Sequence, residues 1–210
     1  MSQMLYDISP RLRPSIAVWP GDSPMHREVL TDLHHGANLT LSTLHATVHL
    51  GAHADAPSHT DVGGSDIASQ PLDVYVGRCQ VITVDVSRAE RVIPRHVAHV
   101  RSFEERVLFR TRTFPDPERW NTDFASLSPE LVAMLASHGV RLVGIDTPSI
   151  DLFDSKDLPT HAACVAHDIR NLEGIVLDGV GDGLFELIAL PLALVGFDAS
   201  PVRAVLRTLT

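Results

Sequence analysis

The sequence predicts a mixed β-sheet domain of the α/β or α+β class, and three observations carry that expectation. Strand-like segments outnumber helices and follow one another in mixed order. The helical stretches are short, with a single clearly capped one at 128–139. No GxGxxG or Walker loop opens a helix after a strand, which argues against a doubly wound nucleotide-binding sheet. At 210 residues, with no repeat and no low-complexity linker, the chain suits one core, so a single domain over 1–210 is expected.

The elements follow in order. Residues 6–24 are rich in turn formers, with Trp19 between an apolar run and a Pro-Gly-Asp turn. Alternation over 38–56 predicts one or two strands. The β-branched run 77–87 predicts a buried strand. Pro94 suits the first turn of a short helix in "PRHVAHVRSFEE", and 106–112 alternates as a strand does. In the capped helix, Ser128 is the N-cap, Pro129 the first residue, Leu131 and Leu135 the apolar stripe, and Gly139 the stop. A strand over 140–147 leaves it. Next come a short helix or turn over 158–171 and a strand over 173–180. Strand, turn, strand and a short C-terminal helix or tail are expected over 183–209.

Composition excludes several function classes. The net charge is −9, from 17 basic and 26 acidic residues, and an acidic surface repels phosphate backbones, so nucleic acid is not an expected partner. The most apolar stretch, 184–197, carries Glu186 and Pro191 and is shorter than the roughly 20 residues of a spanning helix, so no membrane partner is expected. The start, "MSQMLYDISPRLRPS", has no signal-peptide pattern. Cys79 and Cys164 form no CxxC pair and read as buried small residues. Together these predict a cytoplasmic protein. Histidine is the unusual count, at twelve; His26, His34, His35, His96, His99 and His138 lie in polar or amphipathic stretches and read as surface residues.

The chemistry concentrates in "HLGAHADAPSH", His49 to His59. As a helix it fails. His49 and His53 would share a face, but Gly51 lies between them, Pro57 would break the helix, and Asp55 would point about 200° away from His53. As a strand it separates by parity. His45, Thr47, His49, Gly51, His53 and Asp55 fall on one face, and Ala46, Val48, Leu50, Ala52, Ala54 and Ala56 on the other. This predicts a metal-binding face, with Gly51 leaving room for an ion and Pro57 bending His59 out of the strand. His49, His53 and Asp55 suffice for a three-ligand zinc site with an open position. Further ligands could come from His161, His167, Asp168 or Glu173, among which spacing does not choose.

The stretch resembles the HxGTHxDAPxH signature of the metal-dependent cyclase-like hydrolases, and is most similar to their bacterial kynurenine formamidase (arylformamidase) members. The resemblance extends over nearly the whole chain through "VWPGDSP", "PLDVYVGRCQVI", "GIDTPSID" and "NLEGIVLDGV". It implies an α/β fold with a barrel-like sheet core flanked by helices. It also implies two zinc ions: His49, His53 and Asp55 match the first ion's ligands, Asp55 bridges to a second ion held by His161, and Glu173 touches both. His59 matches the proton donor and acceptor, and Trp19 the substrate contact, although a tryptophan beside an apolar run is more commonly core. Ala52 departs from the signature's threonine, on the face away from the metals. His167 and Asp168 match no functional position.

The implied reaction is hydrolysis of N-formyl-L-kynurenine to L-kynurenine and formate by zinc-activated water, with a homodimer as the implied assembly. Two divalent ions about 3.5–4 Å apart repel by roughly 20 kcal/mol at an effective dielectric near 20, so carboxylates belong between them and imidazoles outside. Two alternatives stand beside this: a related hydrolase of a cyclic imide, isatin-like ring or lactone, with manganese a rival to zinc, and a non-enzymatic metal-binding module.

Overall fold

The computed structural model describes residues 3–209. In chain order its strands are β1 (Leu5–Asp7), β2 (His26–Thr31), β3 (Leu41–His45), β4 (His53–Asp55), β5 (Val76–Thr83), β6 (Arg91–Val92), β7 (Arg106–Arg110), β8 (Ser126–Leu127), β9 (Leu142–Ile145), β10 (Arg170–Glu173), β11 (Gly183–Ile188), β12 (Ala199–Pro201) and β13 (Val205–Thr208). The described residues also form two α-helices, α1 (Pro129–Ser137) and α2 (Pro159–Ala166), and five short 3-10 turns. Nine strands form one mixed sheet in the order β1-β13-β11-β5-β7-β9-β10-β4-β12. Its centre, β5-β7-β9-β10, is parallel, and β11 and β4 join it antiparallel on either side. The sheet curls into a half-barrel.

Strand alternation explains the two cores. Leu108 and Leu142 point to one face, with Cys79, Val81, Ala54 and Leu172. Their neighbours Val107, Phe109, Val143 and Ile145 point to the other, where Leu131, Val132 and Leu135 of α1 and Cys164 of α2 cover them. The buried thiols bear out the reading of both cysteines. Helix α1 forms as its sequence predicts: the Ser128 hydroxyl accepts the Leu131 N–H at 3.2 Å, and Gly139 follows at φ +82. No helix among the described residues is long and apolar enough to cross a membrane.

Five expectations need correction. The long strand through 45–55 does not form. Strand β3 pairs only with β2 in a separate two-stranded sheet, residues 46–52 turn, and β4 begins at His53. Gly51 is the reason: it sits at φ +58, in the left-handed region, and a Cβ there would meet Leu12 Cδ2 at 2.8 Å and Pro10 Cγ at 3.0 Å. It is a packed turn residue, not space for an ion. The strand expected over 173–180 instead ends at Glu173, where Gly174 at φ +64 turns the chain. The C-terminal segment expected as a helix or tail is β13, paired with β1 and β11. The helix at Pro94 is a single 3-10 turn, Pro94–Val97.

Candidate active site

The site is built on the pairing of β4 with β10. Glu173 lies directly opposite His53, and Leu172 opposite Ala54. Since side chains alternate, His53, Asp55, Asn171 and Glu173 share one face, while Ala52, Ala54, Ala56 and Leu172 enter the apolar core on the other. The parity read from the sequence therefore holds over 52–56, and Ala52 faces away from the polar cluster as expected. Helix α2, in the crossover between β9 and β10, delivers His161 to the same face. Pro57 starts a short 3-10 turn, Pro57–His59, that carries His59 off the strand.

The imidazoles aim one nitrogen at the carboxylates and anchor the other. His53 Nε2 lies 3.2 Å from Glu173 Oε2 and 3.5 Å from Asp55 Oδ1. His161 Nε2 lies 3.2 Å from Glu173 Oε1 and 3.5 Å from Asp55 Oδ2. His49 Nδ1 is 3.1 Å from Asp55 Oδ1. Behind them, His53 Nδ1 donates to the Gly51 carbonyl (2.9 Å), His161 Nδ1 to Asp151 Oδ2 (2.9 Å), and His49 Nε2 to Asp198 Oδ2 (3.0 Å). Such rear hydrogen bonds fix the tautomer and ring orientation of metal-ligating histidines.

Electrostatics follow from this crowding. Burial is the largest influence on both Asp55 and Glu173 and favours their neutral forms. The surrounding imidazoles outweigh it and leave Asp55 well below, and Glu173 below, the usual carboxylate range. Burial likewise disfavours protonated His49, yet Asp55 and Asp198 raise it to about 9; Asp151, Asp55 and Glu173 raise His161 well above its ordinary value. Asp151, pushed up by burial, is drawn down to about 2 by His161 and Arg91.

The donor set fits a divalent metal. His53 Nε2, His161 Nε2 and Asp55 Oδ1 are buried and, despite these close contacts, make no hydrogen bond among the described residues; each such atom costs about 1–3 kcal/mol unless something coordinates it. Ligand atoms of His53, Asp55 and Glu173 lie within 4.8 Å of one another, as do those of His49, Asp55 and His59, so Asp55 belongs to both groups. Imidazole nitrogen with carboxylate oxygen is the ligand chemistry of zinc and its first-row neighbours. Backbone and amide donors complete the second carboxylate: Ile150 N–H and Asn171 Nδ2 both donate to Glu173 Oε1, and Asn171 Nδ2 also donates to Asp55 Oδ2.

This cluster forms the floor of a cavity of about 800 Å³ lined by His49, His53, His59, His161 and Glu173 at one end and by Trp19, Phe114 and Trp120 along its wall. Trp19 answers to both of its sequence readings. It is half-buried in an aromatic cluster, with ring centroids 5.1 Å from Phe153 and 5.3 Å from Trp120, and it also lines the cavity. His59 Nδ1 donates to Asp198 Oδ2 at 3.0 Å. His167 only ends α2, and Asp168 is exposed and paired with Arg170, so neither joins the site. Of the six histidines read as surface residues, five are exposed, and His96 is half-buried with Nδ1 accepting the Ile93 N–H.

Three residues of the site escaped sequence reasoning: Asn171, Asp151 and Asp198. Asn171 had a signal, since it stands two before Glu173 and therefore on the same face of a strand. Asp151 and Asp198 had none. They reach His161 and His49 across gaps of 10 and 149 residues.

Comparison with known proteins bears on the fold and the family. The Cyclase family model matches residues 6–152, more than half of the chain. A solved structure described as a potential metal-dependent hydrolase with cyclase activity is similar over 100% of both chains, with 26% identity and a TM-score of 0.85. A predicted metal-dependent hydrolase from Bacillus stearothermophilus is 27% identical over 99% of each chain, with a TM-score of 0.84. Isatin hydrolase A from Labrenzia aggregata shares the fold at 23% identity, covering 99% of this chain and 94% of its own, with a TM-score of 0.81. With the family model matched over most of its length and the fold shared with these structures, the chain belongs to the Cyclase family.

Proposed function

We propose that this protein is a metal-dependent amidohydrolase that releases formate from N-formyl-L-kynurenine, leaving L-kynurenine. One observation carries the reading: buried imidazole and carboxylate atoms that make no hydrogen bond among the described residues converge beside an aromatic-lined cavity. His49, His53, Asp55, His161 and Glu173 would hold two zinc ions, with manganese as the rival. When bound, the metal supplies a Lewis acid for the formyl carbonyl and a water acidic enough to ionise near neutral pH.

The chain's own residues do the rest. Asp55 and Glu173 bring the negative charge that lets two cations share one pocket. The reaction adds water across the amide and breaks its C–N bond, so the departing aniline nitrogen must gain a proton. His59, beside the cluster and oriented by Asp198, takes the proton from water and returns it to that nitrogen. Trp19 offers its face to the aromatic ring.

N-formyl-L-kynurenine and isatin offered side by side test the substrate. A higher kcat/KM for the formamide supports the reading; a preference for isatin makes the chain a ring-opening hydrolase with the same metal cluster. The proposal includes a cytoplasmic homodimer. The β2–β3 hairpin supports the dimer with exposed Val29, Leu30, Leu41 and Leu44. Light scattering at micromolar concentration tests it, and a monomer mass would remove the dimer from the account.

A further inference from the structure

The cavity also holds a cation, Arg112, that lies outside the histidine–carboxylate cluster. Arg112 lies two residues beyond the end of β7 and is the one arginine or lysine among the described residues lining the cavity. Its neighbours on β7 are engaged: Arg106 donates to the Val74 carbonyl, and Arg110 pairs with Asp182. Among the described residues, no hydrogen bond or ion pair engages the Arg112 guanidinium.

The backbone around Arg112 is held with unusual care. It adopts φ +61, one of four non-glycine residues at positive φ among those described, and one of two that line the cavity. For an ordinary side chain this conformation is strained and persists only where its surroundings enforce it. Asp146 enforces it. This residue, immediately after β9, accepts the Arg112 N–H at 2.8 Å, the Thr111 N–H at 2.9 Å and the Thr111 hydroxyl at 2.7 Å. Thr111 and Thr113 hydroxyls, 2.8 Å apart, close the turn.

Topology places this turn relative to the chemistry. Strands β7, β9 and β10 are parallel neighbours, and ligands of open α/β sheets gather at the carboxyl ends of such strands. Glu173 ends β10, Asp146 follows β9 and Arg112 follows β7. At about 4.8 Å per strand, Arg112 is rooted about 10 Å across the sheet from Glu173. The other charged groups lining the cavity away from the metal cluster, Asp22, Asp146 and Asp178, are acidic.

We propose that Arg112 is the anion-binding residue of this cavity and selects aromatic substrates that carry a carboxylate several bonds from the scissile amide. The proposal rests on the amidohydrolase reading only for the identity of the scissile bond. A guanidinium pairs bidentately with a carboxylate, which gives both attraction and orientation.

The test is ligand binding, so it does not depend on turnover. Both tryptophans of the chain line the cavity, and their fluorescence reports its occupancy. The probes are 4-oxo-4-phenylbutanoate and its uncharged analogue 1-phenylbutan-1-one. The native protein should bind the carboxylate about tenfold or more tighter than the ketone. In Arg112→Gly, which removes the side chain while tolerating positive φ, that ratio should fall to near one; Arg112→Lys should recover part of it. Equal binding of both probes by the native protein overturns the proposal. So does a carboxylate preference that survives Arg112→Gly, which would assign the anion to the metal cluster. An Arg112-dependent preference in a protein that leaves N-formyl-L-kynurenine intact would uphold the anion site and reject the formamidase reading alone.

Discussion

Gly174→Ala should damage the metal site without touching a ligand. Gly174 follows Glu173 at φ +64, and a Cβ there would overlap the Gly51 carbonyl oxygen, with the carbonyl carbon only 2.9 Å away. Carbon–oxygen contacts ordinarily lie at about 3.3–3.6 Å, so the Gly51 carbonyl must retreat by about 1 Å. That carbonyl accepts the Nδ1–H of His53 at 2.9 Å and fixes its ring. A retreat of this size breaks the hydrogen bond. Loss of such a rear partner typically costs 10–100-fold in metal affinity, and an error of about 1 Å in a reacting geometry costs roughly 100-fold in rate. The strain of alanine at positive φ adds about 1 kcal/mol of instability, which a matched control removes from the comparison. Gly179→Ala is that control: its φ is +77 and a Cβ there meets nothing within 4 Å. Zinc Kd, measured by competition with a chromogenic chelator, should rise at least tenfold for Gly174→Ala and stay unchanged for Gly179→Ala. Equal zinc affinity in the two variants would refute the claim that this close approach holds His53 in place.

Three further outcomes are expected. His59→Ala should keep its metal and lose turnover by about 100- to 10,000-fold; elemental analysis showing metal loss would make His59 a ligand, a role its proximity to His49 and Asp55 allows. Trp19→Ala should raise KM for the formamide more than it lowers Tm, because Trp19 is half-buried with the cavity on one side; a large fall in Tm with unchanged KM would make it a core residue only. Burial pushes the Cys164 thiol up to about 12 and Cys79 higher still, so at pH 8 roughly one Cys164 in 10,000 is thiolate. A thiol reagent at that pH should label neither cysteine until denaturant is added, and rapid labelling of the native protein would contradict their burial.

Local physics made part of this molecule legible. Parity over 53–55 separated Ala54 from His53 and Asp55 because these residues form β4, with one face in the core. Ser128, Pro129 and Gly139 bounded α1 because capping is a short-range property. The parity argument failed from 46 to 52, where Gly51 spends its conformational freedom on a turn and where alternation in sequence continued by coincidence. Strand β13, expected as a helix or tail, went unread because its pairing with β1 joins residues about 200 apart, which no window along the chain reports. His161 and Glu173 were singled out as candidate ligands by resemblance. Their geometry depends on the β4–β10 register and on the β9–α2–β10 crossover, and both are tertiary facts. Asp151 and Asp198, which hold the rings of His161 and His49 from behind, share that dependence; Asp151 ends the "GIDTPSID" block, but nothing in that block points to His161.

In the proposed function, metal held by His49, His53, Asp55, His161 and Glu173 makes the protein a formamidase. Zinc titrated back into chelator-stripped protein, with bound metal and kynurenine release followed together, tests it most directly. The account predicts no release from the stripped protein and full recovery as binding approaches two equivalents per chain. Kynurenine release that survives stripping, or saturated metal binding with no release at all, would contradict it.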